Sequence, residues 1–489
     1  MSYPVATKVY FRLDSNAHIG MGHLMRCLRL AKALDEYGFC SHFIVTEQSV
    51  GAVNMLQERG FGVMMIPVFQ NQIEDAKACE KLLISANDDD YLVVDHYALD
   101  HEWERNFMSK GMRVVVIDDL ANRSHKCHSL IDFGLHRHEE EYRVLCDEST
   151  MILTGANYIL LDKRFREVKK QAAIKRKNLD VIKHVYLGFG GTDPNNLSVK
   201  CIRQLLGFSI IEKITVTTSR LNIHLDTLLN FSHDPRVHIH VESEKIADLL
   251  IEADLAIGSL GVSALERVCV GLPSICVVMA DNQAGNASVM KAQGLAVVCD
   301  QATLDASIHQ ALQKDSLQRL IDMSSKCLQC IDGLGVDRVL HRAFSIRHEV
   351  EFREATSNDA RPLYQLQCED GARTYSRHPQ VPSLEEHMQW FSQSMNNPDR
   401  RIWMLDFKGE LAGFIRLDKT ALGHEVSILI SNQYQKLGLA SSALSQLKTK
   451  SQLHRIIAYV LPENAASIKL FEGAHFHSIG DSYFEWVAS

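Results

Sequence analysis

The stretch DSNAHIGMGHLMRCLRLAKAL, residues 14–34, decides the fold of the first part of the chain. It follows a short β-like run, and apolar residues recur at helical spacing after its Gly-Met-Gly-His segment. A glycine loop between a strand and a helix lets a ligand approach the backbone, and the helix N-terminus favours an anion. Met25 stands where a dinucleotide-binding G-x-G-x-x-G has its third glycine. The stretch therefore predicts a βα unit with a ligand site that is not a dinucleotide site.

His23, directly after the two glycines, has two interpretations. The helix dipole disfavours a cation in the first turn, so a neutral imidazole in a cleft would suit a general base. Alternatively, the side chain only caps the helix. The residues alone leave both interpretations open.

Length and composition limit the class of protein. A chain of 489 residues is too long for one core, so we expect two or three domains. The net charge of -8, without a long Lys/Arg tract, argues against nucleic acid as the main ligand. We find no signal-peptide pattern and no run of the ~20 apolar residues that would cross a membrane. With twelve scattered cysteines, this predicts reduced thiols and a cytoplasmic location.

The cysteines and histidines do not form a convincing metal site. Cys327 and Cys330 lie three apart on a probable helix, and no second ligand pair follows at a suitable spacing. We interpret them as buried small residues. The histidines at 125, 128, 136 and 138 also lack a ligand pattern. We therefore expect no metal cofactor.

Strand and helix patterns alternate over the first two thirds of the chain, which predicts parallel α/β sheets. The continuous apolar runs at 91–97 and 113–119 indicate strands that are buried on both faces. The basic stretch 161–178 predicts a solvated helix that links two α/β halves. From about residue 349 the order changes to mixed α+β, with a hairpin turn at Lys408-Gly409. We predict domains at 1–165, 166–345 and 346–489, with a cleft between the first two.

Two loops of the second half have the composition of an anion site. GFGGTDPNN, residues 188–196, places Gly190, Gly191, Thr192 and Asp193 between a strand and a helix. In residues 258–273, Ser259, Gly261 and Ser263 lie at another helix start, and Glu266 one turn inside has the chemistry to grip two ribose hydroxyls. Ordinary turn and capping chemistry is the alternative. Facing one cleft, the two loops would suit a nucleotide diphosphate.

These motifs together carry a resemblance. In order, RLDSNAHIGMGHLMRCLRLAKAL, VVDHYALD, GFGGTDPNN, SALERVCVGLP and DNQ resemble the nucleotide-sugar hydrolases of pseudaminic acid biosynthesis, over roughly residues 8–335. That family is similar to two-Rossmann-domain (GT-B) glycosyltransferases. The resemblance implies metal-independent hydrolysis of UDP-2,4-diacetamido-2,4,6-trideoxy-β-L-altropyranose, with His23 as the catalytic base for a water at the anomeric carbon. It implies substrate binding by Asp95, His96, Tyr97, Gly190, Gly191, Thr192, Asp193, Glu266, Asn282 and Gln283. From the loops themselves we also predict substrate contacts by Asp14, Gly20, Gly22, Ser259 and Ser263.

The last third carries a second resemblance. QKLGLA, residues 435–440, lies between a strand and a helix, where backbone N–H groups can bind a pyrophosphate. With PENAASIKLFEGAHF, residues 462–476, it resembles the GNAT N-acetyltransferases over residues ~349–489. The resemblance implies acetyl-CoA as co-substrate, bound by Leu429, Ile430, Gln435, Gly438, Leu439, Ala440, Asn464 and Ser467. Glu425, on the preceding strand, is either a base that deprotonates the amine through water or a solvated edge-strand carboxylate.

The chain departs from the GNAT pattern at two places, one of which is His475-Phe476, where the family often has Gly-Phe. The family often has a tyrosine that protonates the leaving thiolate where this chain has Phe471. Three possibilities follow: another tyrosine (Tyr434, Tyr459 or Tyr483) is the acid, the thiolate leaves unassisted, or the domain is weakly active.

Together the two resemblances predict a bifunctional enzyme of consecutive steps. It would acetylate the 4-amino group of a UDP-amino-sugar and then hydrolyse the diacetamido UDP-sugar. Three alternatives remain: an acetyltransferase for another amino-sugar, a non-catalytic CoA-binding module, and a UDP-glycosyltransferase in the first part. The oligomeric state is open.

Overall fold

The chain divides into two compact units, Met1–Ala343 and Phe344–Ser489. The structure is a computed structural model that describes residues 7–15, 21–84, 86–280, 283–480 and 482–488. The larger unit contains two parallel sheets and the smaller unit one mixed sheet. The predicted fold class, two Rossmann-like halves followed by a mixed α+β domain, is therefore confirmed. Within the described ranges, no helix is long and apolar enough to cross a membrane.

The first half of the larger unit is a seven-stranded parallel sheet. Its strands are β1 (Lys8–Leu13), β2 (Cys40–Thr46), β3 (Gly62–Ile66), β4 (Tyr91–Asp95), β5 (Arg113–Ile117), β6 (Ser129–Asp132) and β7 (Met151–Thr154). Its helices are α1 (Gly22–Asp35), α2 (Val50–Glu58), α3 (Gln72–Leu82), α4 (His101–Met108) and α5 (Glu139–Arg143). The spatial order is β3-β2-β1-β4-β5-β6-β7. The strand order reverses between β1 and β4, and ligands of such folds bind at the carboxyl ends of strands beside this point.

The second half repeats the plan with six parallel strands. They are β8 (His184–Gly188), β9 (Lys213–Thr218), β10 (Val237–Val241), β11 (Leu255–Ser259), β12 (Ser274–Val277) and β13 (Val297–Cys299), in the order β10-β9-β8-β11-β12-β13. The helices from this point are α6 (Lys163–Lys177), α7 (Leu197–Leu206), α8 (Leu225–Leu229), α9 (Ile246–Glu252), α10 (Val262–Cys269), α11 (Ala284–Gln293), α12 (Leu304–Ala311), α13 (Leu317–Cys330) and α14 (Gly335–Ala343). Helices cover both faces of such a sheet, which explains the unbroken apolar runs of its central strands.

Helix α6 corrects the prediction of a solvated linker. Arg176 is 1% exposed, and its guanidinium donates to the carbonyls of Leu250 (2.8 Å) and Ala253 at the end of α9. Lys169 donates to the carbonyl of Leu328 at 2.8 Å, and burial lowers its pKa. The last carbonyls of a helix have no partner within the helix and carry partial negative charge. The prediction was wrong for these two cations because they satisfy such carbonyls inside the second half.

Helix α14 joins the two halves. It follows the second half in sequence but packs against α1 and the turn at 156–158 of the first half. Arg338 is buried and donates to the carbonyl of Asn157 at 3.1 Å. Gly335 lies against the backbone of Ile159, where a Cβ would clash. The last helix of the larger unit therefore packs against the first half of that unit.

The smaller unit is built on a seven-stranded mixed sheet. Its strands are β14 (Glu351–Glu354), β15 (Arg400–Phe407), β16 (Glu410–Thr420), β17 (Gly423–Ile430), β18 (Arg455–Tyr459), β19 (His477–Gly480) and β20 (Tyr483–Val487), in the order β14-β15-β16-β17-β18-β20-β19. Its helices are α15 (Ala360–Gln367), α16 (Leu384–Met395), α17 (Leu439–Ser451) and α18 (Ala465–Gly473). Lys408 and Gly409 both have positive φ, 52° and 76°, as the predicted two-residue hairpin turn requires.

A gap opens in this sheet between β17 and β18. The two strands are parallel, and their register runs only from His424 to Val426 on β17. Beyond that point β17 continues beside β16 to Ile430. The gap exposes a segment of β17 next to the loop that leads into α17.

The predicted domain boundaries can be tested by dividing the chain between Ala343 and Phe344. Each unit has its own sheets and buried core, so we expect both fragments to fold alone and to keep their transitions in scanning calorimetry. A second cut inside α6, after residue 170, serves as control and should prevent folding of the larger unit. Two unfolded fragments from the first cut would contradict the boundary.

Candidate active sites

His23 lies in the first turn of α1, beside the carboxyl end of β4. It is 4% exposed, and its Nδ1 is hydrogen-bonded to Oδ1 of Asp95. The ring of Tyr97 contacts the imidazole edge-to-face, with 4.5 Å between the ring centroids. The N-cap of α1 is Met21, so the imidazole bonds to a carboxylate rather than capping the helix. A carboxylate at Nδ1 selects the tautomer with the proton there and leaves a lone pair on Nε2.

Arg26 holds Asp95 in place. Its Nε and Nη2 donate to the two oxygens of Asp95 at 2.6 and 2.5 Å, and Nη1 donates to Asp119 at 2.9 Å. Burial alone would raise the pKa of Asp95, but Arg26 and then His23 outweigh it and hold the pKa well below its usual range. Asp95 is thus an ionised carboxylate with no solvent exposure. It orients the imidazole and would stabilise an imidazolium.

Tyr97 and Asp119 complete this cluster. The Tyr97 hydroxyl donates to Oδ2 of Asp119 at 3.2 Å, the same oxygen that accepts from Arg26. Burial, followed by the charge of Asp119, raises the pKa of Tyr97. The sequence analysis did not single out Arg26 or Asp119. The spacing of three residues between His23 and Arg26 was a usable signal, because it places both on one face of a helix.

Asp14 and His96 form a second pair at the end of β1. Asp14 accepts from the backbone N–H of Thr46 at 2.8 Å and from Arg12 at 3.2 Å, and its Oδ2 lies 3.2 Å from Nε2 of His96. Nδ1 of His96 accepts from the N–H of Ala98 at 3.1 Å, so the proton is on Nε2 and points to Asp14. These contacts of Asp14 are all internal. Its substrate-binding role stays a prediction.

Of the two glycines in the opening stretch, the described residues include only Gly22. Gly22 is the first residue of α1, and a Cβ added there would meet no described atom within 4 Å. Gly20 lies outside the described residues, as does Asn282 of the predicted sugar-side pair.

In the second half, the loop after β8 is tied to the end of β9. The carbonyl of Gly191 accepts from the N–H and the hydroxyl of Ser219, at 3.2 and 2.8 Å. A Cβ on Gly191 would lie 2.9 Å from that hydroxyl, so the close approach requires glycine. Gly190 has a φ of +84°, and Thr192 is half-buried beside it. The loop is pre-shaped, and these three predicted residues are brought together on it.

Asp193 has an internal role that the sequence analysis allowed only as the alternative. Its two carboxylate oxygens accept from the first N–H groups of α7, Leu197 and Ser198, both at 2.9 Å. Asp193 is 1% exposed. The helix N-terminus is therefore already occupied by a carboxylate, and a diphosphate would have to use the loop itself.

The other predicted anion loop begins α10. The N-cap of this helix is Gly261, which has no side chain to cap the first N–H groups, and the first turn contains no acidic residue in the described structure. The buried Arg267 donates to the carbonyl of Ser259 at 2.7 Å and lies 3.4 Å from the hydroxyl of Ser263. The N-terminus of α10 can therefore accept an anion.

Glu266 connects the two halves. It is 5% exposed, and its carboxylate is paired with Arg29 of α1. Arg29 also donates to the carbonyl of Leu160 at 3.1 Å. A ribose would compete with Arg29 for this carboxylate, so the predicted ribose contact stays a prediction.

Gln283 is the N-cap of α11, a helix that also contacts the first half. Its side-chain oxygen accepts from the N–H of Met279 at 2.9 Å. One turn later, Oδ1 of Asn286 accepts from the N–H of Leu135 at 2.8 Å and lies 3.2 Å from Nδ1 of His136. His136, which belongs to no metal-ligand pattern in the sequence, thus contacts the opposite half.

Two buried carboxylates lie close to Asp119 and share a phenol. The Tyr142 hydroxyl is 2.8 Å from Asp118 and 2.7 Å from Asp132. Burial, and to a smaller extent Asp118, raises the pKa of Asp132 to about 6. Arg123 pairs with Asp118 at 2.7 Å and, with backbone N–H groups, lowers its pKa against the effect of burial. A single phenol proton cannot serve both carboxylates at once, and Oδ2 of Asp132 also lies 3.0 Å from Nε of Arg137.

We predict that Asp132→Asn changes how stability depends on pH. The folded pKa is about 6 against an ordinary 3.8, so the proton on Asp132 stabilises the fold at low pH and this contribution is lost as pH rises through 6. The variant should therefore gain on the parent by up to about 3 kcal/mol between about pH 4 and about pH 7. Unfolding of the larger unit measures this. A constant difference across that range, equal to that of the exposed control Asp147→Asn, would contradict the shift.

The described residues contain no group of three or more His, Cys, Asp or Glu arranged to hold a metal ion. Cys327 and Cys330 both lie on α13, and the buried Cys327 thiol donates to the carbonyl of Leu295 at 3.2 Å. Burial is also the main cause that raises the pKa of both thiols.

In the smaller unit, the loop 435–438 and the gap beside β17 form the candidate acetyl-CoA site. Leu429 and Ile430 are half-buried on β17, beyond its pairing with β18. Gly438 has a φ of +72° and is the N-cap of α17, which has no side-chain cap and no acidic first-turn residue in the described structure. Leu439 has a buried side chain, so it can offer only its N–H. Open N–H groups at a helix start fit a pyrophosphate.

The remaining predicted CoA residues lie at the start of helices or turns. Asn464 caps α18, since its Oδ1 accepts from the N–H of Ser467 at 3.1 Å. Gln435 donates to Asn432 at 2.8 Å, and Ala440 is half-buried in the first turn of α17. Their cofactor roles stay predictions.

Phe471, where the GNAT pattern often has a tyrosine, occupies a core position. Phe471 is 4% exposed and packs edge-to-face on Phe476, with 5.1 Å between centroids. Of the candidate acids, Tyr434 is buried and donates to Glu410 at 2.5 Å. The other two, Tyr459 and Tyr483, pair across β18 and β20.

Glu425 is neither solvated nor free. It is 8% exposed, and its oxygens lie 2.9 Å from Nη1 and Nη2 of Arg377, between α15 and α16. The edge-strand alternative is wrong because β18 covers this side of β17. The sequence analysis did not predict Arg377, which no periodic pattern marks.

Comparison with known proteins finds relatives for both parts of the chain. Residues 349–477 match the acetyltransferase (GNAT) domain family. The UDP-2,4-diacetamido-2,4,6-trideoxy-β-L-altropyranose hydrolase of Campylobacter jejuni is 25% identical over 296 residues, which are 59% of this chain and 98% of the relative. The spore coat polysaccharide biosynthesis protein SpsG of Bacillus subtilis is 22% identical over 344 residues, 67% of this chain and 94% of that protein.

An uncharacterized protein of Methanocaldococcus jannaschii is 24% identical over 274 residues, which are 55% of each chain. The chain thus spans about half the length of that relative. Both predicted resemblances are confirmed. The chain has a UDP-sugar hydrolase and SpsG among its homologues and carries a GNAT domain, which implies binding of acetyl-CoA.

Gly438→Glu should abolish acetyl-CoA binding and leave the larger unit unaffected. The side chain adds bulk and a negative charge where the N–H groups of α17 are open to a pyrophosphate. Gly438→Gln has the same size and the same strain at positive φ without the charge, so it should bind more weakly than the parent but better than Gly438→Glu. Calorimetric titration with acetyl-CoA, alongside thermal unfolding, measures both effects. Parental affinity in a folded Gly438→Glu variant would exclude this loop.

Proposed function

We propose that the chain is a bifunctional enzyme. It N-acetylates the 4-amino group of a UDP-4-amino-4,6-dideoxy-2-acetamido-altrose with acetyl-CoA, and it hydrolyses UDP-2,4-diacetamido-2,4,6-trideoxy-β-L-altropyranose to UDP and the free sugar. The observation that carries the hydrolase proposal is the buried His23–Asp95 pair, clamped by Arg26. The homology to the Campylobacter jejuni hydrolase supports the choice of substrate.

In the proposed hydrolysis, Nε2 of His23 accepts a proton from water. The water oxygen forms the new bond to the anomeric carbon, and the bond from that carbon to the β-phosphate oxygen breaks. The electron pair of the broken bond leaves with UDP. The imidazolium that forms lies against the ionised Asp95, so its charge is stabilised without a proton moving to the carboxylate.

UDP departs with an additional negative charge, which needs hydrogen-bond donors. We assign this role to the loop backbone at Gly190–Thr192 and to the open N-terminus of α10. Asp193 keeps the start of α7 from taking part. Because these donors are backbone groups, we propose that hydrolysis needs no metal ion.

In the proposed acetyl transfer, Glu425 takes a proton from the substrate ammonium. The freed nitrogen lone pair forms the amide bond to the acetyl carbonyl carbon, and the carbon–sulfur bond breaks with the electron pair on CoA sulfur. The nitrogen loses its second proton in this step, and one proton is taken up by the sulfur to give CoA as the thiol. Phe471 cannot protonate that sulfur. Tyr459 and Tyr483, which lie close to Glu425 through Arg377, are better placed than the buried Tyr434.

The free state of all twelve cysteines supports a cytoplasmic location.

Incubation of the whole chain with the 4-amino UDP-sugar and acetyl-CoA, with and without EDTA, tests the full proposal. Mass spectrometry and NMR should identify CoA, UDP and the free diacetamido sugar in both samples. Three results would each favour an alternative: UDP release only with an added acceptor alcohol, acetylation of a different amino-sugar only, or CoA binding without turnover.

His23→Ala should lower sugar hydrolysis by about 10²- to 10⁴-fold and leave acetyl transfer at the parental rate. Asp95 keeps its Arg26 partner in the variant, so the fold should persist. UDP release and CoA release are measured separately. The matched control is His101→Ala, since His101 is also in the first turn of a helix but half-exposed. Hydrolysis near the parental rate in His23→Ala would overturn the assignment.

A further inference from the structure

A site for a cation on the sheet of the smaller unit is filled by the chain's own arginine. The guanidinium of Arg377 lies 2.9 Å from each oxygen of Glu425. It donates to the Tyr483 hydroxyl at 3.0 Å, and its carbon lies 4.3 Å from the centroid of the Tyr459 ring. A carboxylate, a hydroxyl oxygen and an aromatic face are the groups that recognise an organic cation.

The three groups that surround the cation are fixed, whereas the cation itself is on a connection. Glu425 is on β17, Tyr459 on β18 and Tyr483 on β20, and Tyr459 and Tyr483 are directly opposite in register. Glu425 is 8% exposed. Arg377 comes from the connection between α15 and α16, and its side chain is 45% exposed. The guanidinium can therefore leave toward solvent while the three groups stay in place.

The location of the site matters as much as its chemistry. Glu425 is paired with β18 within the short register that precedes the gap in the sheet. From there β17 runs on along the gap to Leu429 and Ile430, where we expect acetyl-CoA. An amine held on Glu425 would thus lie on the same strand as the proposed thioester site. Any acceptor of the acetyl group must place its amine near the thioester in this way.

We propose that Glu425, Tyr459 and Tyr483 form the binding site for the acceptor's ammonium group, and that the ammonium displaces Arg377. This inference rests on the proposed acetyltransferase function. Arg377 then determines specificity, because a neutral hydroxyl or acetamide brings no charge with which to replace the guanidinium on Glu425. Acetylation removes the charge of the amine, so Arg377 returns to Glu425 and favours release of the product.

Steady-state acetyl transfer by the whole chain tests this competition, with the 4-amino UDP-sugar as acceptor and loss of the thioester as signal. In Arg377→Gln the competing cation is absent, so KM for the amine should fall, by about five-fold for an ion pair of which only the cation reaches solvent. KM for acetyl-CoA should not change. The matched control is Arg361→Gln, because Arg361 is exposed on α15 of the same unit.

Two further variants separate competition from a structural effect. Arg377→Lys keeps a cation and should keep KM near the parental value. Glu425→Gln removes the charge that binds the amine and should raise KM. A rise in KM in Arg377→Gln would mean that Arg377 holds the acceptor, and an unchanged KM would mean that it does not compete; either result overturns the inference alone. Failure of the parent to acetylate any amine would overturn the acetyltransferase proposal and this inference together.

Discussion

The ionised carboxylate of Asp95, buried without solvent exposure, constrains the whole site of the larger unit. A buried charge is tolerated only when it is paired and its hydrogen-bonding capacity is used. Arg26 and His23 meet this requirement from one face of α1, and the remaining donor of Arg26 is met in turn by Asp119. The end of β4, the first turn of α1 and the loop after β5 are thereby held in one arrangement. The orientation of the imidazole follows from this charge pairing.

The fold could be predicted from the sequence where burial leaves a pattern. Strands covered on both faces read as unbroken apolar runs, such as 91–97, and the Lys408-Gly409 turn joins two alternating strands. The environment of α6 could not be predicted in this way. The sequence shows that Arg176 is charged. It does not show that the carbonyls of Leu250 and Ala253, at the end of another helix, lie within hydrogen-bond distance of its guanidinium. Such partners are set by tertiary packing alone.

The candidate sites divide along the same line. His23 and Gly438 follow from local order, a glycine loop between strand and helix, and the structure places both at helix starts. Arg26 could be predicted to share a helix face with His23 from its spacing along the sequence. Its role could not be predicted, because that role depends on Asp95 from another element. Arg377 could not be predicted from the sequence. The connection that carries it has no hydrophobic periodicity, and its partner Glu425 is on a strand far along the chain.

Both units pair an arginine with the carboxylate of a proposed catalytic group, and depth decides what each pair can do. The side chains of Arg26 and Asp95 are 5% and 0% exposed, and breaking a buried pair of this kind costs about 3–5 kcal/mol. The Arg26 pair therefore persists through turnover and keeps the base oriented. The side chains of Arg377 and Glu425 are 45% and 10% exposed, so only the cation of this pair reaches solvent and the pair is weaker than the fully buried one. A substrate ammonium that binds the same carboxylate can therefore replace the guanidinium, and this site can exchange its cation whereas the other cannot.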